Sequence, residues 1–207
     1  MINTRKQLNF FIMADRIMNG MPIKESLLER LKNFVIGTPP IAQYLRCMRC
    51  YSFYKNRKGL MASLKTVYFR GKYNRLGIKL GCYINEDVFD YGLCVPHYGT
   101  FRIGGNNRIG RFAVIHTVTN ITASNCVIGD GLYLSVGAKI IGPLTLGDNV
   151  SITANSVVNK SYGSNLLLAG APATVKKDNY PAWYQRDGEV YVDRIKRVEH
   201  LRERMGL

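Results

Sequence analysis

The sequence predicts a mainly β protein, built as a parallel β-helix with α-helices before and after it. The main observation is an aliphatic ladder with a six-residue step and one seven-residue step, at Ile103, Ile109, Ile115, Ile121, Ile128, Leu134, Ile140, Leu146, Ile152 and Val158. The second observation is a compact residue two positions before most members of the ladder, at Ala113, Thr119, Cys126, Ala138, Val150 and Ser156. The third is glycine directly after several members, at Gly104, Gly110, Gly129 and Gly147.

A step of six residues excludes a helix face, because a period of 3.6 residues would carry successive members around the cylinder. It is also too long for the simple alternation of one strand. Short strands joined at corners fit it, since the ladder residue and the residue two before it point the same way and glycine supplies the dihedral angles of a corner. Stacked units of this kind bury one continuous apolar column.

The remaining parts of the chain are expected to be helical. We predict an α-helical region at 1–80, a β-helix domain at 81–178 and a C-terminal extension with a helix at 179–207. Apolar spacing predicts helices over 25–34, from about Ile41, over 60–73 with an interruption at Gly71, and from about Glu189. The N-terminal helices would cap the first coil, whose strands otherwise expose unpaired backbone groups.

Composition limits the cellular setting. The chain has 207 residues, of which 46% are hydrophobic, and its longest aliphatic runs are too short to cross a bilayer. No secretion signal is recognisable at the N-terminus, and an odd number of cysteines, five, agrees with a reducing compartment. These features predict a cytoplasmic protein. Cys47 and Cys50 form a CxxC without a second pair or a nearby histidine, so we interpret them as buried apolar residues rather than a metal or redox site.

The formal charge of +15 is concentrated in the N-terminal part. No Asp or Glu occurs between Glu29 and Glu86, and twelve lysines and arginines fall in that interval. Such a region attracts anions: the phosphates of a cofactor, a charged glycan or an anionic membrane surface. A solvated basic helix face is the simpler explanation. Nucleic acid is not expected as a partner, because no recognition motif accompanies the charge.

The stretch from Gly92 to Lys177 resembles the hexapeptide-repeat acyltransferases, and within them the serine acetyltransferase-like and polysaccharide O-acetyltransferase branch. The resemblance rests on GLCVPHYGTFRIGGNNRIG, VGAKIIGPLTLGDNVSITANSVVNKS and LLLAGAPATVKK. It implies a left-handed β-helix with three hexapeptides per coil, and the handedness rests on the resemblance alone. It also implies a homotrimer that holds acetyl-CoA, the acyl donor, between neighbouring prisms. No metal is expected.

Histidine is the residue type expected to carry the chemistry, because imidazole can take a hydroxyl proton near neutral pH. The chain has three histidines. His97 stands where the resemblance implies the catalytic base, although the six-residue count would make it a core histidine. His116 follows a ladder residue and should point outward, where it could touch the acceptor, act as a second polar catalytic group or be an inert surface residue. His200 lies in the C-terminal helical stretch and is expected to be structural or solvated.

The resemblance also implies a cofactor site. Pantetheine would lie along small residues and backbone amides at Ser135, Gly137, Ala154, Asn155, Ala169 and Gly170. Lys160, Lys176 and Lys177 would neutralise the nucleotide phosphates at the end of the coil. Corners of the coil also demand small residues, which is the alternative explanation for Gly137 and Ala154.

Departures from serine acetyltransferase bear on the acceptor. When that enzyme is aligned on His97, the aspartate that binds its amino-acid acceptor falls at Cys82, and its second histidine falls at Asn125. An acceptor with an ammonium group needs a carboxylate partner, and a cysteine does not provide one. Glu86, Asp87 and Asp90 are the acids nearby in sequence. We therefore expect an O-acetyltransferase acting on a sugar or polysaccharide precursor, with Tyr98 and Phe101 stacking on the ring.

Three other functions remain open: a serine O-acetyltransferase, an N-acetyltransferase acting on an amino sugar nucleotide, and a non-catalytic scaffold. A γ-type carbonic anhydrase is excluded, because it needs three histidines around one zinc, commonly with two of them five positions apart, and this chain has no such pair.

Overall fold

The predicted parallel β-helix is present as a solenoid of about five coils. The computed structural model describes residues 2–23, 39–122 and 124–207. The strands of the coils are β1 (Cys82–Ile84), β2 (Phe101–Ile103), β3 (Arg108–Ile109), β4 (Val114–Ile115), β5 (Asn120–Ile121), β6 (Val127–Ile128), β7 (Tyr133–Leu134), β8 (Lys139–Ile140), β9 (Thr145–Leu146), β10 (Ser151–Ile152), β11 (Val157–Val158) and β12 (Leu167–Gly170). A last strand, β13 (Ala173–Lys177), pairs antiparallel with β12.

Three parallel sheets form the sides of the prism. The first has the order β1-β2-β5-β8-β11, the second β4-β7-β10-β12 with β13 at its edge, and the third β3-β6-β9. Single bridges at Phe89, Cys94 and Tyr162 complete the sheets in the first and last coils. Each strand therefore lies directly above the strand one coil earlier, which is the arrangement that the six-residue ladder predicts.

The ladder residues form the core of the prism. All ten are at most 3% exposed, and the compact residues two positions before them are buried as well. Close packing between coils explains why glycine follows several ladder residues. A Cβ on Gly110, for example, would lie 2.7 Å from the carbonyl carbon of Gly129 in the next coil. The coils thus stack more closely at these positions than a side chain allows.

Five helices surround the coils in the described part of the chain. They are α1 (Arg5–Met18), α2 (Pro40–Tyr54), α3 (Leu60–Leu80), α4 (Trp183–Arg186) and α5 (Glu189–Arg204). The sequence interpretation missed α1, which begins with a capping box between Thr4 and Gln7. The predicted interruption at Gly71 is wrong, because α3 continues to Leu80 and Gly71 lies on its outer side. The predicted helix over 25–34 lies outside the described residues.

The N-terminal helices cap the first coil through two buried tyrosines. The hydroxyl of Tyr44 on α2 accepts a hydrogen bond from the backbone N–H of Ile84 at 2.8 Å, and the hydroxyl of Tyr73 on α3 donates one to the carbonyl of Ile84. The free edge of β1 is therefore hydrogen-bonded by side chains rather than by another strand, as the capping role predicts.

A buried ion pair joins the helices to the same coil. Arg49 on α2 donates to both carboxylate oxygens of Asp15 on α1, at 2.8 and 3.2 Å, and to the carbonyls of Phe89 and Asp90. Asp15 also accepts from the backbone N–H groups of Gly92 and Leu93. One charged pair thus ties two helices to the turn that leads toward His97.

The C-terminal extension packs back against the middle of the solenoid. Trp183 is 1% exposed and its indole N–H donates to the carbonyl of Phe112 at 2.9 Å. The final helix α5 lies against α1, and Arg194 donates to the carbonyl of Met18. None of the helices in the described ranges has the length and apolar character needed to cross a membrane.

Candidate active site

One edge of the prism brings the predicted site residues together. At this edge each coil passes from the second sheet to the first, through residues 95–100, 116–119, 135–138 and 153–156, and β12 ends beside it at 169–170. Backbone hydrogen bonds connect successive levels, from Gly137 N–H to the Thr117 carbonyl and from Asn155 N–H to the Val136 carbonyl. We call this edge the histidine corner, because two of the three histidines lie on it.

His97 lies on the loop between the bridge at Cys94 and β2, and its side chain is exposed. The core position that a strict six-residue count implies is therefore wrong. The reason is local. In the first coil the second sheet consists of the single bridge at Cys94, and residues 95–100 form a loop, so the regular six-residue spacing does not extend from β2 back to His97. Gly99 in this loop lies against Thr117, since a Cβ there would be 2.9 Å from the Thr117 methyl carbon.

His116 lies one coil above and is half-buried with its ring directed outward, as alternation predicts. Its Nε2 is 3.0 Å from the hydroxyl of Tyr133, and the two rings are 5.1 Å apart between centroids. Burial lowers the pKa of His116, and the neighbouring His97 lowers it further, while Asp187 acts in the opposite direction. The two histidines are thus close enough for their charges to interact, and His116 is neutral near pH 7.

The C-terminal extension adds side chains to this edge that sequence reasoning missed. The guanidinium of Arg186 lies 5.5 Å from the ring centroid of Tyr133 and donates to the hydroxyl of Ser151 at 3.0 Å. The next residue, Asp187, is the acid whose charge partly offsets the lowering of the pKa of His116 by burial and by His97. No spacing in the sequence links residues 186–187 to position 116, because the contact depends on how Trp183 anchors the extension.

The residues predicted to hold pantetheine lie on consecutive levels of the histidine corner. Ser135 and Gly137 follow β7, Ala154 and Asn155 follow β10, and Ala169 and Gly170 end β12. The strands β7, β10 and β12 are hydrogen-bonded neighbours, so these six residues form one column above the histidines. Lys160, Lys176 and Lys177 are exposed beyond the last full coil.

A groove lies on the side of the loop that carries His97. It has a volume of about 590 Å³ and is bounded by α3, β1 and β2, with Tyr44, Tyr73, Tyr83, Thr100 and Arg102 in its lining. Cys82 also lines it, and burial raises the pKa of this thiol to about 11. The thiol is therefore neutral at pH 7 and supplies no charge to an ammonium group.

The predicted stacking residues differ in accessibility. Tyr98 is 60% exposed, whereas Phe101 is 2% exposed and packs inside the prism. The expectation that Phe101 stacks on a ligand is wrong, because β2 begins at this residue and alternation turns its side chain inward. Of the acids considered, Glu86 and Asp87 are paired with Lys55, and Asp90 accepts from the N–H of Tyr91.

Cys47, Cys50 and His200 lie on helices, outside the histidine corner. Cys47 and Cys50 are buried, and burial raises the pKa of both thiols, that of Cys50 to about 11. This agrees with their interpretation as apolar residues. Within residues 2–23, 39–122 and 124–207, no group of three His, Cys, Asp or Glu side chains is placed to hold a metal ion. His200 is exposed on α5.

Comparison with known proteins finds acetyltransferases that are similar to this chain in sequence and in structure. The chain is 32% identical over 134 residues to a serine acetyltransferase of Staphylococcus xylosus, a match that covers 62% of this chain and 60% of that protein. It is 27% identical over 86 residues to the bifunctional protein GlmU of Psychrobacter sp. (strain PRwf-1), covering 42% of this chain and 19% of that protein. No family model matches the chain.

The structure is similar to that of Neisseria gonorrhoeae serine acetyltransferase in complex with serine. The TM-score is 0.59 with 25% sequence identity, over 84% of this chain and 70% of that one. The chain spans 60% or less of the length of these two sequence relatives.

Proposed function

We propose that this protein, a member of the hexapeptide-repeat acyltransferase family, transfers an acetyl group from acetyl-CoA to a hydroxyl group, with His97 as the general base. The observation that carries the proposal is the position of His97. It is exposed at the foot of the histidine corner, beside His116 and below a column of small residues that leaves room for a donor.

The proposed reaction is a direct transfer. The acceptor oxygen attacks the thioester carbonyl carbon while the imidazole of His97 takes the hydroxyl proton. The tetrahedral intermediate then collapses, the carbon–sulfur bond breaks, and the proton passes to the departing CoA thiolate. Because His116 is neutral, it adds no second positive charge beside His97 when that imidazole is protonated.

The proposed donor site runs up the histidine corner. Small side chains at Gly137, Ala154 and Gly170 allow the pantetheine arm to approach the backbone. Lys160, Lys176 and Lys177 are exposed beyond the last full coil but away from this edge, because Lys160 follows β11 and Lys177 lies beside Leu167, at the end of β12 opposite to Gly170. For their ammonium groups to meet the nucleotide phosphates, the nucleotide has to extend across the end of the prism.

The proposal includes a homotrimer, in which a neighbouring prism covers the donor. Val118 and Val136 lie on the histidine corner itself and are 55% and 46% exposed. Exposed aliphatic residues beside a proposed site support an interface with another copy of the chain. Measurement of the mass in solution by light scattering tests this part directly.

Two acceptors are supported by different observations. Free serine is favoured by the relatives and by the N. gonorrhoeae enzyme, which was solved with serine. A sugar hydroxyl is favoured by the neutral thiol of Cys82, because no carboxylate stands there for the serine ammonium group. The tyrosine-lined groove beside Cys82 and the exposed ring of Tyr98 also suit a sugar.

Release of CoA thiol from acetyl-CoA, measured over serine, sugars and amino sugar nucleotides, tests the reaction and selects the acceptor. His97→Ala should lower kcat by about 10²- to 10⁴-fold, the usual effect of removing a general base. Calorimetry should find acetyl-CoA binding unchanged in this variant. The matched control is His200→Ala, which removes an exposed histidine on α5 and should keep the wild-type rate.

The same measurements identify the competing functions. A folded His97→Ala protein with most of its rate contradicts the role of His97. A wild-type protein that binds no acetyl-CoA contradicts the transferase altogether and favours a scaffold.

A further inference from the structure

The outer face of α3 is an exposed apolar stripe between cations. Leu60, Leu64, Val67 and Ile78 lie along one line of the helix, and Met61 and Tyr68 lie beside it; the six are 55–83% exposed. The opposite face of α3 is the one that packs, since Tyr73, Gly77 and Leu80 are buried. The helix is therefore apolar on two sides, and only one of them is explained by the fold.

The charges on α3 all have one sign. The helix carries Lys65, Arg70, Lys72, Arg75 and Lys79 and no acidic residue. Within the described ranges none of these five makes an ion pair with a carboxylate. Arg70 lies on one side of the stripe and the other four lie on the opposite side.

We propose that this face of α3 binds the surface of an anionic lipid membrane. A helix whose exposed apolar side is flanked by lysine and arginine lies in the plane of the interface, with its apolar side among the acyl chains and its cations at the headgroups. Anionic headgroups supply the negative charge that the five cations lack among the described residues. The helix has 21 residues, so about 32 Å of it would lie flat on the surface.

Charge and apolarity together favour this partner over two others. A second copy of the same face would bring five cations of one helix against five of the other, in a chain with a net charge of +15. A charged glycan would match the cations and leave the aliphatic stripe in water. This proposal does not depend on acetyl transfer. None of the residues involved belongs to the histidine corner, and only Ile78 of the stripe also lines the groove beside Cys82.

Sedimentation with lipid vesicles tests the proposal. The full chain should bind vesicles containing phosphatidylglycerol, bind vesicles of phosphatidylcholine alone much more weakly, and lose affinity as salt is added. Leu64→Glu with Val67→Glu should lower binding by about tenfold or more, because two exposed apolar side chains become charged. Val190→Glu is the matched control: Val190 is 60% exposed on α5, away from the stripe, and its variant should bind like wild type.

A second pair of variants tests the cations. Arg70→Gln with Lys79→Gln removes one charge from each side of the stripe and should weaken binding several-fold, whereas Lys6→Gln with Lys196→Gln removes the same net charge elsewhere and should have little effect. Circular dichroism confirms that each variant is folded. Equal binding to both kinds of vesicle, or equal losses in test and control pairs, would overturn the proposal. So would light scattering that shows Leu64→Glu with Val67→Glu breaking an assembly of the chain, because the stripe would then be covered by another copy.

Discussion

Nε2 of His116 lies 3.0 Å from the hydroxyl oxygen of Tyr133, on a level of the solenoid where burial lowers the pKa of the histidine. A histidine with a lowered pKa in the folded state takes up its proton more readily in the unfolded state. The free energy of unfolding therefore falls as the pH drops from about 6.5 toward that lowered pKa. At pH values below the folded-state pKa, the whole contribution of His116 to the free energy of unfolding has been lost.

His116→Gln removes this titration and keeps a polar side chain. We expect urea unfolding of the variant to show a smaller fall in stability from about pH 7 to about pH 5 than wild type shows. The imidazole signal that disappears from the NMR spectrum of the variant identifies His116, and in wild type its midpoint should lie below 6.5. Parallel stability curves for the two proteins would contradict the lowered pKa.

The Asp15–Arg49 pair yields a prediction about the helical cap. Both side chains are almost fully buried, at 3% and 1% exposed, and Arg49 also holds two carbonyls of the first coil. Arg49→Met leaves the carboxylate of Asp15 buried without its counter-ion. We expect a loss of about 3–5 kcal/mol in the free energy of unfolding, measured with urea.

The matched control is Asp193→Asn on α5. Asp193 forms an exposed i,i+4 pair with Arg197 at 3.9 Å, and its removal should cost less than about 0.5 kcal/mol. Comparable costs for the two substitutions would mean that the buried pair does not anchor the helices to the coil.

The six-residue ladder predicted the solenoid because each of its members has the same environment in every coil. The periodic pattern reports directly on burial, so the sequence located all ten core positions and the corner at which residues 135–137, 153–155 and 169–170 follow one another from coil to coil. The hand of the coil has no such signal and was taken from the family resemblance.

The parts that the sequence did not predict depend on contacts between distant segments. α1 does have an apolar side, formed by Leu8, Ala14, Ile17 and Met18, and a capping box at its start, so its existence was readable from the sequence; the burial of Asp15 on that side against Arg49 was not. Asp187 reaches the surroundings of His116 only because Trp183 anchors the extension beneath Phe112. Phe101 was expected to stack on a ligand because it is aromatic and near His97 in sequence, yet it precedes the ladder residue Ile103 by two positions and so points inward with it.

The proposed role of the three lysines beyond the last coil, binding the nucleotide phosphates of acetyl-CoA, can be tested one residue at a time. Replacing Lys160, Lys176 and Lys177 one at a time with glutamine should raise the KM for acetyl-CoA by about tenfold at each position that contacts a phosphate, the size of one charge-assisted hydrogen bond. Acetylpantetheine lacks the nucleotide, so the variants should use it as well as wild type does. An equal loss with both donors would show that the lysines act on the coil rather than on the phosphates.

Close stacking at the histidine corner predicts a coupling between Gly137 and Asn155. Gly137 has φ of +73°, and a Cβ on it would lie 2.0 Å from Oδ1 of Asn155 in the next coil. Gly137→Ala should therefore destabilise the fold by about 1–3 kcal/mol, through the strained backbone and the displaced amide together. Asn155 has φ of +57°, a conformation that glycine adopts without strain, so Asn155→Gly removes the obstacle alone.

Urea unfolding of the two single variants and of the double variant separates the contributions. If contact with Asn155 is part of the cost, Gly137→Ala should be less damaging in the Asn155→Gly protein than in wild type, with an interaction energy of about 0.5–3 kcal/mol. The backbone strain at position 137 should remain in both. Additive effects would show that the amide moves aside freely, and the column of small residues would then be set by its backbone conformation rather than by the closeness of the coils.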